Sequence, residues 1–235
     1  HIPLNHFMNL HANWSWANKI RIEPSNPNCI WRIAEGINHQ YDLVGEPQGS
    51  WTPSTLYTIT IPAGVSSGLN EPLQKEFTLR VHTQCVQLVE MFPRQNEFQR
   101  FDTPIILLFD QRINPQSVIS HIKLSMTNWG NDKPGKPLQN IESLPLITTI
   151  SALPNWVRPD FIHLLERAKP EQWIAFKIVP PLVPKKKVWI TGLPGIVSLE
   201  GPLPSDAEFM SPWNTLPLFT ASVQLNRVQA SSIPK

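Results

Sequence analysis

Residues 55–61 read TLYTITI, and the alternation in that run decides the fold. Leu56, Thr58 and Thr60 fall on one side of an extended chain, while Tyr57, Ile59 and Ile61 fall on the other. A period of two built from β-branched and aromatic residues predicts a half-buried strand whose second set faces the core. Further strands are predicted at 19–23 (KIRIE), 76–82 (EFTLRVH), 86–91 (VQLVEM), 104–109 (PIILLF), 121–125 (HIKLS), 173–178 (WIAFKI), 187–192 (KVWITG) and 218–225 (LFTASVQL). The intervening clusters EPSNPN, GEPQGS, SSGLNEP, GNDKPGKP and EGPLPSD hold residues that preset φ or tolerate positive φ, so they predict turns.

Proline supports the same class. It lacks an N–H and fixes φ, so it is poorly tolerated in helix interiors and central strands; 25 prolines therefore predict short strands joined by many turns. One segment reads as a helix, RPDFIHLLERA at 158–168. Pro159 suits the first helical position, Asp160 the positive end of the dipole, and Phe161, Leu164, Leu165 and Ala168 share one face. The expectation is an all-β chain with one short helix capping the end of a sandwich.

An internal repeat sets the expected domain count. Residues 53–83 and 183–223 run through the same parts: a proline-led turn, a strand, a glycine turn, a loop with Gly and Pro, and a closing strand. Upstream, FDQRIN at 109–114 aligns with LNHFMN at 4–9. Two tandem immunoglobulin-like β-sandwich modules are expected, 1–83 and 84–226, with an insertion at about 127–169 in the second and a tail or linker at 227–235. The strands ahead of Phe109 have no counterpart ahead of Leu4. The first module is therefore expected to lack its first strand and to leave an edge open for recruitment.

Charge excludes several functions. A net charge of +2 with 20 scattered Lys and Arg implies no nucleic-acid partner. No apolar run is long enough to span a bilayer, and the start at His1 has neither part of a signal peptide, so any export signal or membrane anchor is expected outside this chain. Two cysteines, Cys29 and Cys85, are too few for a disulfide scaffold or a cysteine-based metal site; they are either two thiols or one bridge.

Three stretches taken together, FDQRINPQSV (109–118), TPSTLYTITIPAGVSS (52–67) and FTLRVHT (77–83), resemble bacterial Ig-like modules. They look most like those in the amino-terminal arm of bacterial α2-macroglobulins, with 173–203 as the second half of such a module. The resemblance implies part of a large extracytoplasmic protease trap, periplasmic, in the cell envelope or secreted. Its partners would be other domains of the same polypeptide and, through the full-length protein, proteases. The thioester run of that family is absent: neither NCIWR around Cys29 nor QCVQL around Cys85 fits it. The stretch would be scaffold, and the insertion at 127–169 departs from the family's pattern.

No chemistry competes with that expectation. The chain has no G-x-S-x-G elbow, no phosphate-cradling glycine loop, and only dispersed histidines; His6 and His11 have no third ligand at zinc spacing. Asp206 and Glu208 lie in a turn-rich segment where solvent exposure is expected. No catalytic residue, metal site or small-molecule cofactor is expected. Of nine tryptophans, Trp31, Trp173 and Trp189 fall in strand-like stretches and are core candidates. Trp14, Trp16 and Trp51 flank turns and are the candidates for contact with a partner or glycan, which is the basis of the alternative function, a cell-surface adhesin or polysaccharide-binding module. Lys185, Lys186 and Lys187 are expected to be a solvated turn. Asn13-Trp14-Ser15 meets the glycosylation sequon.

Overall fold

A computed structural model describes residues 2–4, 18–25, 29–35, 41–65, 72–138, 146–178 and 182–218. The fold is all-β. Before Thr83 run β1 (Ile2–Leu4), β2 (Arg21–Glu23), β3 (Cys29–Glu35), β4 (Tyr41–Pro47), β5 (Leu56–Ile61) and β6 (Phe77–His82). They make two antiparallel sheets, ordered β1-β4-β3 and β2-β5-β6. After Thr83 come β7 (Leu88–Phe92), β8 (Phe98–Gln99), β9 (Ile105–Phe109), α1 (Pro115–Ser120), β10 (Ile122–Asn128), β11 (Leu146–Ile147), α2 (Pro159–Arg167), β12 (Trp173–Phe176), β13 (Lys186–Gly192) and β14 (Phe209–Thr215). These give sheets ordered β7-β9-β12-β11 and β10-β13-β14-β8.

Strand order repeats between the two halves. The sheets β1-β4-β3 and β2-β5-β6 correspond one for one, in chain order and in antiparallel pairing, to β9-β12-β11 and β10-β13-β14. What the second half adds is β7, which flanks β9, and β8, which runs parallel beside β14. Among the described residues β1 and β6 have no such flanking partner. Phe77 and Val81 on β6 are exposed.

The alternation in β5 is realised as expected: Tyr57, Ile59 and Ile61 are buried and Leu56 is exposed. The run IILLF of β9 behaves differently, because all five of its residues are buried. Ile105, Leu107 and Phe109 enter the core between the two sheets, together with Ile174, Phe176, Leu124 and Ile190. Ile106 and Leu108 point the other way, against Phe161 and Leu165 of α2. A strand covered on both faces has no polar side to alternate with.

The helix therefore does not cap an end of the sandwich, as its sequence predicts. It covers the outer face of a sheet. Leu164, expected on its buried face, is exposed; the buried face is Phe161 and Leu165. Pro159 holds the expected first position. A second helix, α1, has no counterpart among the predicted elements. Asn114 Oδ1 accepts from the backbone N–H of Gln116 and Ser117, and Pro115 starts the helix, a capped beginning written in the letters NPQS.

The strand that pairs with β13 is FMSPWNT, which the sequence does not predict, and the 218–225 run expected to close the module lies outside the described residues from 219 onward. Pro212 argues against a strand at 209–215 when the sequence is read alone. In the structure Pro212 O accepts from Asn96 N (2.7 Å), so the backbone polar edge of Pro212 faces away from β13. The missing N–H thus costs no ladder bond to β13. The strands β3 and β4 escaped the sequence reading as well. Of the tryptophans expected in the core, Trp189 is buried and Trp31 and Trp173 are half-buried, whereas Trp213 in the unforeseen strand is fully enclosed.

Charged side chains tie α2 to the β7–β8 turn. Arg158 bonds Asp160 (3.0 Å) and Glu97 (2.8 Å), and Arg94 reaches Asp160 (3.2 Å) and Glu90 (3.4 Å). Hydrogen bonds from Arg158 hold the Asp160 carboxyl below its ordinary range, and Arg100 does the same to Asp102. A lowered folded value means stabilisation that is full above the unfolded pKa and lost as pH falls through the folded one. Thermal melts from about pH 5 down to about pH 2 should therefore show falling stability, modest because these pairs are exposed. Carboxyl-carbon NMR should show Asp160 and Asp102 titrating below the ordinary aspartate range.

Candidate functional site

The two halves meet at a turn whose backbone is locally strained. Ser54 follows Pro53 with φ of 48°, a left-handed value that side chains other than glycine adopt uncommonly. Neighbouring bonds hold it there. The Thr83 hydroxyl donates to Thr52 O (2.7 Å) and accepts from Thr55 N (2.9 Å), and the Thr55 hydroxyl donates to Pro53 O (2.8 Å). Thr52 N donates to the hydroxyl of the buried Tyr57 (3.0 Å).

Against this turn the second half presents FDQ. The Ser54 hydroxyl donates to Gln111 Oε1 (2.8 Å), and Gln111 Nε2 donates to Gln84 O (2.9 Å). Ser54 N also donates to Gln84 O (3.0 Å). Asp110 accepts from Gln84 Nε2 and from Gln87 N, both at 2.8 Å. The joint is closed from the other side by a loop: Leu203 N donates to Ser54 O (2.7 Å), and Gly201 lies so close that a Cβ there would fall on Pro53 O, with Ser54 O at 2.6 Å and Thr55 Oγ1 at 2.7 Å. Ser54, Thr55 and Gln111 are buried.

A buried polar set whose members are paired is directional in a way that an apolar contact is not. Each donor has one acceptor at a fixed angle, so rotating one half against the other would break several bonds without water to replace them. Arg112 anchors the loop, accepting from Leu199 N (2.8 Å) and donating through its own N–H to Glu200 Oε1 (3.1 Å). FDQ belongs to the stretch FDQRINPQSV on which the family resemblance rests. The part played by Ser54, Gln111 and Gly201 was not read from sequence; the available signal was the proline-led turn that precedes both β5 and β13.

The sequence candidates fall elsewhere. Trp51 sits beside the joint, its ring 4.4 Å from that of Tyr57 and edge-on to it, which commits much of its surface to packing. Trp14, Trp16, His6, His11 and the Asn13 sequon lie outside the described residues. Cys29 and Cys85 are both thiols, not a disulfide, on different halves. Burial raises both thiol pKa values, and Asp206 adds to the effect at Cys85. Asp206 and Glu208 are exposed. Lys186 and Lys187 are not a solvated pair, as expected, but half-buried: Lys186 Nζ donates to Asn128 (2.6 Å), while Lys187 pairs with Asp132 (3.3 Å) and lies over the Trp189 ring.

Other surfaces offer little chemistry. A groove of about 460 Å³ runs between the β7 edge and β14, lined by Val89, Met91, Phe209 and Met210 with the Glu90–Arg94 pair at its rim. Among the described residues no group of three His, Cys, Asp or Glu side chains is placed to hold a metal ion, and no helix is long and apolar enough to cross a membrane.

Comparison with known proteins adds one distant relative. Over 157 residues, 64% of this chain, the sequence is 26% identical to "Circularly permutated Ras protein 2" of Dictyostelium discoideum. The chain spans 4% of the length of that protein. No protein-family model matches the chain.

Proposed function

We propose that these residues form a non-catalytic spacer within a larger polypeptide, two sandwich modules whose joint fixes their relative direction. The observation that carries the reading is Gln111, which bridges Ser54 of the first half and Gln84 of the connecting segment while buried. A joint built to flex would expose its polar groups to water. The small share of a very long relative covered by this chain is also what a spacer unit would give. The chain covers only 4% of that relative and has no complete G-x-x-x-x-G-K-[ST] run, since GNDKPGKP at 130–137 ends in Pro137 where the Ser or Thr would stand.

The finer reading places the spacer in the extracytoplasmic arm of a bacterial α2-macroglobulin-like protease trap. Its support is the likeness of FDQRINPQSV and TPSTLYTITIPAGVSS to the modules of that family. Capture of a protease by the full-length protein tests it, and a full-length protein that leaves a broad set of proteases uninhibited would end it. The alternative, a polysaccharide-binding module, draws on the exposed Phe98 and Trp129, which stack edge-on at 5.5 Å. Glycan binding lost on substitution of Trp129 would favour it.

The spacer reading is tested by Gln111→Ala. The change leaves the Ser54 hydroxyl without its acceptor, at a cost of about 1–3 kcal/mol. Nuclear spin relaxation on the parent chain should give one rotational correlation time for both halves, and two shorter ones in the variant. Halves that tumble separately in the parent chain would overturn the proposal.

A further inference from the structure

The turn at Ser54 has a twin at the far end of the second half. Pro184 and Lys185 stand where Pro53 and Ser54 stand, each pair leading into the strand that forms the middle of its sheet, β13 or β5. Lys185 has a φ of 58°, beside 48° at Ser54. The closing threonine repeats its bonds. Thr215 Oγ1 donates to Val183 O (2.8 Å) and accepts from Lys186 N (2.8 Å), as Thr83 Oγ1 does with Thr52 O and Thr55 N. Two turns so alike in backbone differ in their cover: Ser54 and Thr55 are buried under the Gln111 side chain and the Gly201 loop, whereas Val183, Lys185, Leu216 and Leu218 are exposed.

We propose that the Lys185 turn is a second docking face of the same build, and that its occupant is a further sandwich module of this type carrying a carboxylate where Gln111 stands. The proposal rests on the spacer reading. A strained turn copied in backbone and hydrogen bonding is a conformation with a cost, which the contacts of a joint offset at Ser54. The chemistry of the occupant follows from the one changed side chain. Ser54 donates a neutral hydroxyl to an amide oxygen; an ammonium in its place needs a carboxylate once water is excluded. Lys186 and Lys187 are engaged with Asn128 and Asp132, while Lys185 has no ion pair among the described residues. Exposed Val183, Leu216 and Leu218 would supply the apolar rim.

The specificity can be moved into the existing joint of the full chain. Ser54→Lys should open it, and adding Gln111→Glu should close it again, the ammonium donating both to the new carboxylate and to Gln84 O, which loses the Gln111 amide. Amide exchange at Leu203, whose N–H is bonded to Ser54 O, should quicken about tenfold or more in the single variant and return to within about threefold in the double. A double variant as open as the single one overturns the proposal. The second test fuses a copy of residues 87–218, with Gln111→Glu, directly after Leu218 of the chain, so that Leu216 and Leu218 take the places that Gln84 and Val86 hold in the existing joint. Slowed exchange at the Lys185 and Leu216 amides supports docking. A copy whose own strands are protected while those amides exchange as in the parent overturns it, as does a parent chain that pairs with itself through this turn. If the copy does not fold, the transplanted pair decides. The Leu203 amide of the unaltered chain reports separately on the spacer reading, so the two can fail apart.

Discussion

Gly201→Val should separate the two halves of the chain while leaving each one folded. The glycine lies against the Ser54 turn with no space for a β-carbon: Pro53 O, Ser54 O and Thr55 Oγ1 already occupy it. Two of the three are backbone atoms and the third, Thr55 Oγ1, is bonded to Pro53 O, so the turn cannot yield by moving a flexible side-chain end. The loop cannot retreat either, because Leu199 and Glu200 are bonded to Arg112, and Ser205 N is bonded to Ile196 O. Something must open, and the weakest seam is the joint itself. Overpacking of this kind costs about 1–3 kcal/mol, to which the lost Leu203–Ser54 and Ser54–Gln111 bonds add. Calorimetry should show one transition in the parent chain and two in the variant, and small-angle scattering should show a larger maximum dimension. A variant that keeps one transition and the parent's dimensions would mean that the loop merely slides and does not hold the halves.

Phe161→Ala should cost more. Phe161 is 1% exposed, and its ring lies 5.7 Å from that of Phe92, over Ile106, Leu108 and Ala175 on the outer face of the β9 sheet. Removing a buried phenyl typically costs about 3–5 kcal/mol. Here the loss also uncovers the apolar side chains of Ile106, Leu108 and Ala175 on that face. The urea midpoint should fall with an unchanged slope, and the variant should bind an apolar dye that the parent chain does not. A loss below about 1 kcal/mol would show that the helix contributes little to sealing that face.

The places where sequence reading failed share a cause. Leu164 and Leu165 are equally apolar, and only the position of the sheet beneath α2 chooses Leu165 for burial. Asn114-Pro115 is a local helix start, but a six-residue helix has too little periodic pattern to stand out from a turn. Pro212 disqualifies a strand only if its N–H would have met a neighbour, and that depends on which side of β14 faces β13. In each case the residues were readable and their neighbours were not.

By itself the sequence determined the class of fold, the repeat of parts between the two halves, and the inward face of β5, because strand periodicity and turn chemistry are properties of residues next to each other in the chain. Tertiary structure alone decided the two-sided burial of β9, the identity of the closing strand, and the joint. Ser54 and Gln111 are 57 residues apart, and neither letter carries any mark of the other. Their bond exists because the sheets of the two halves bring a strained turn, a glutamine and a glycine loop to one point from which water is shut out, and only there does a side-chain amide become a structural part.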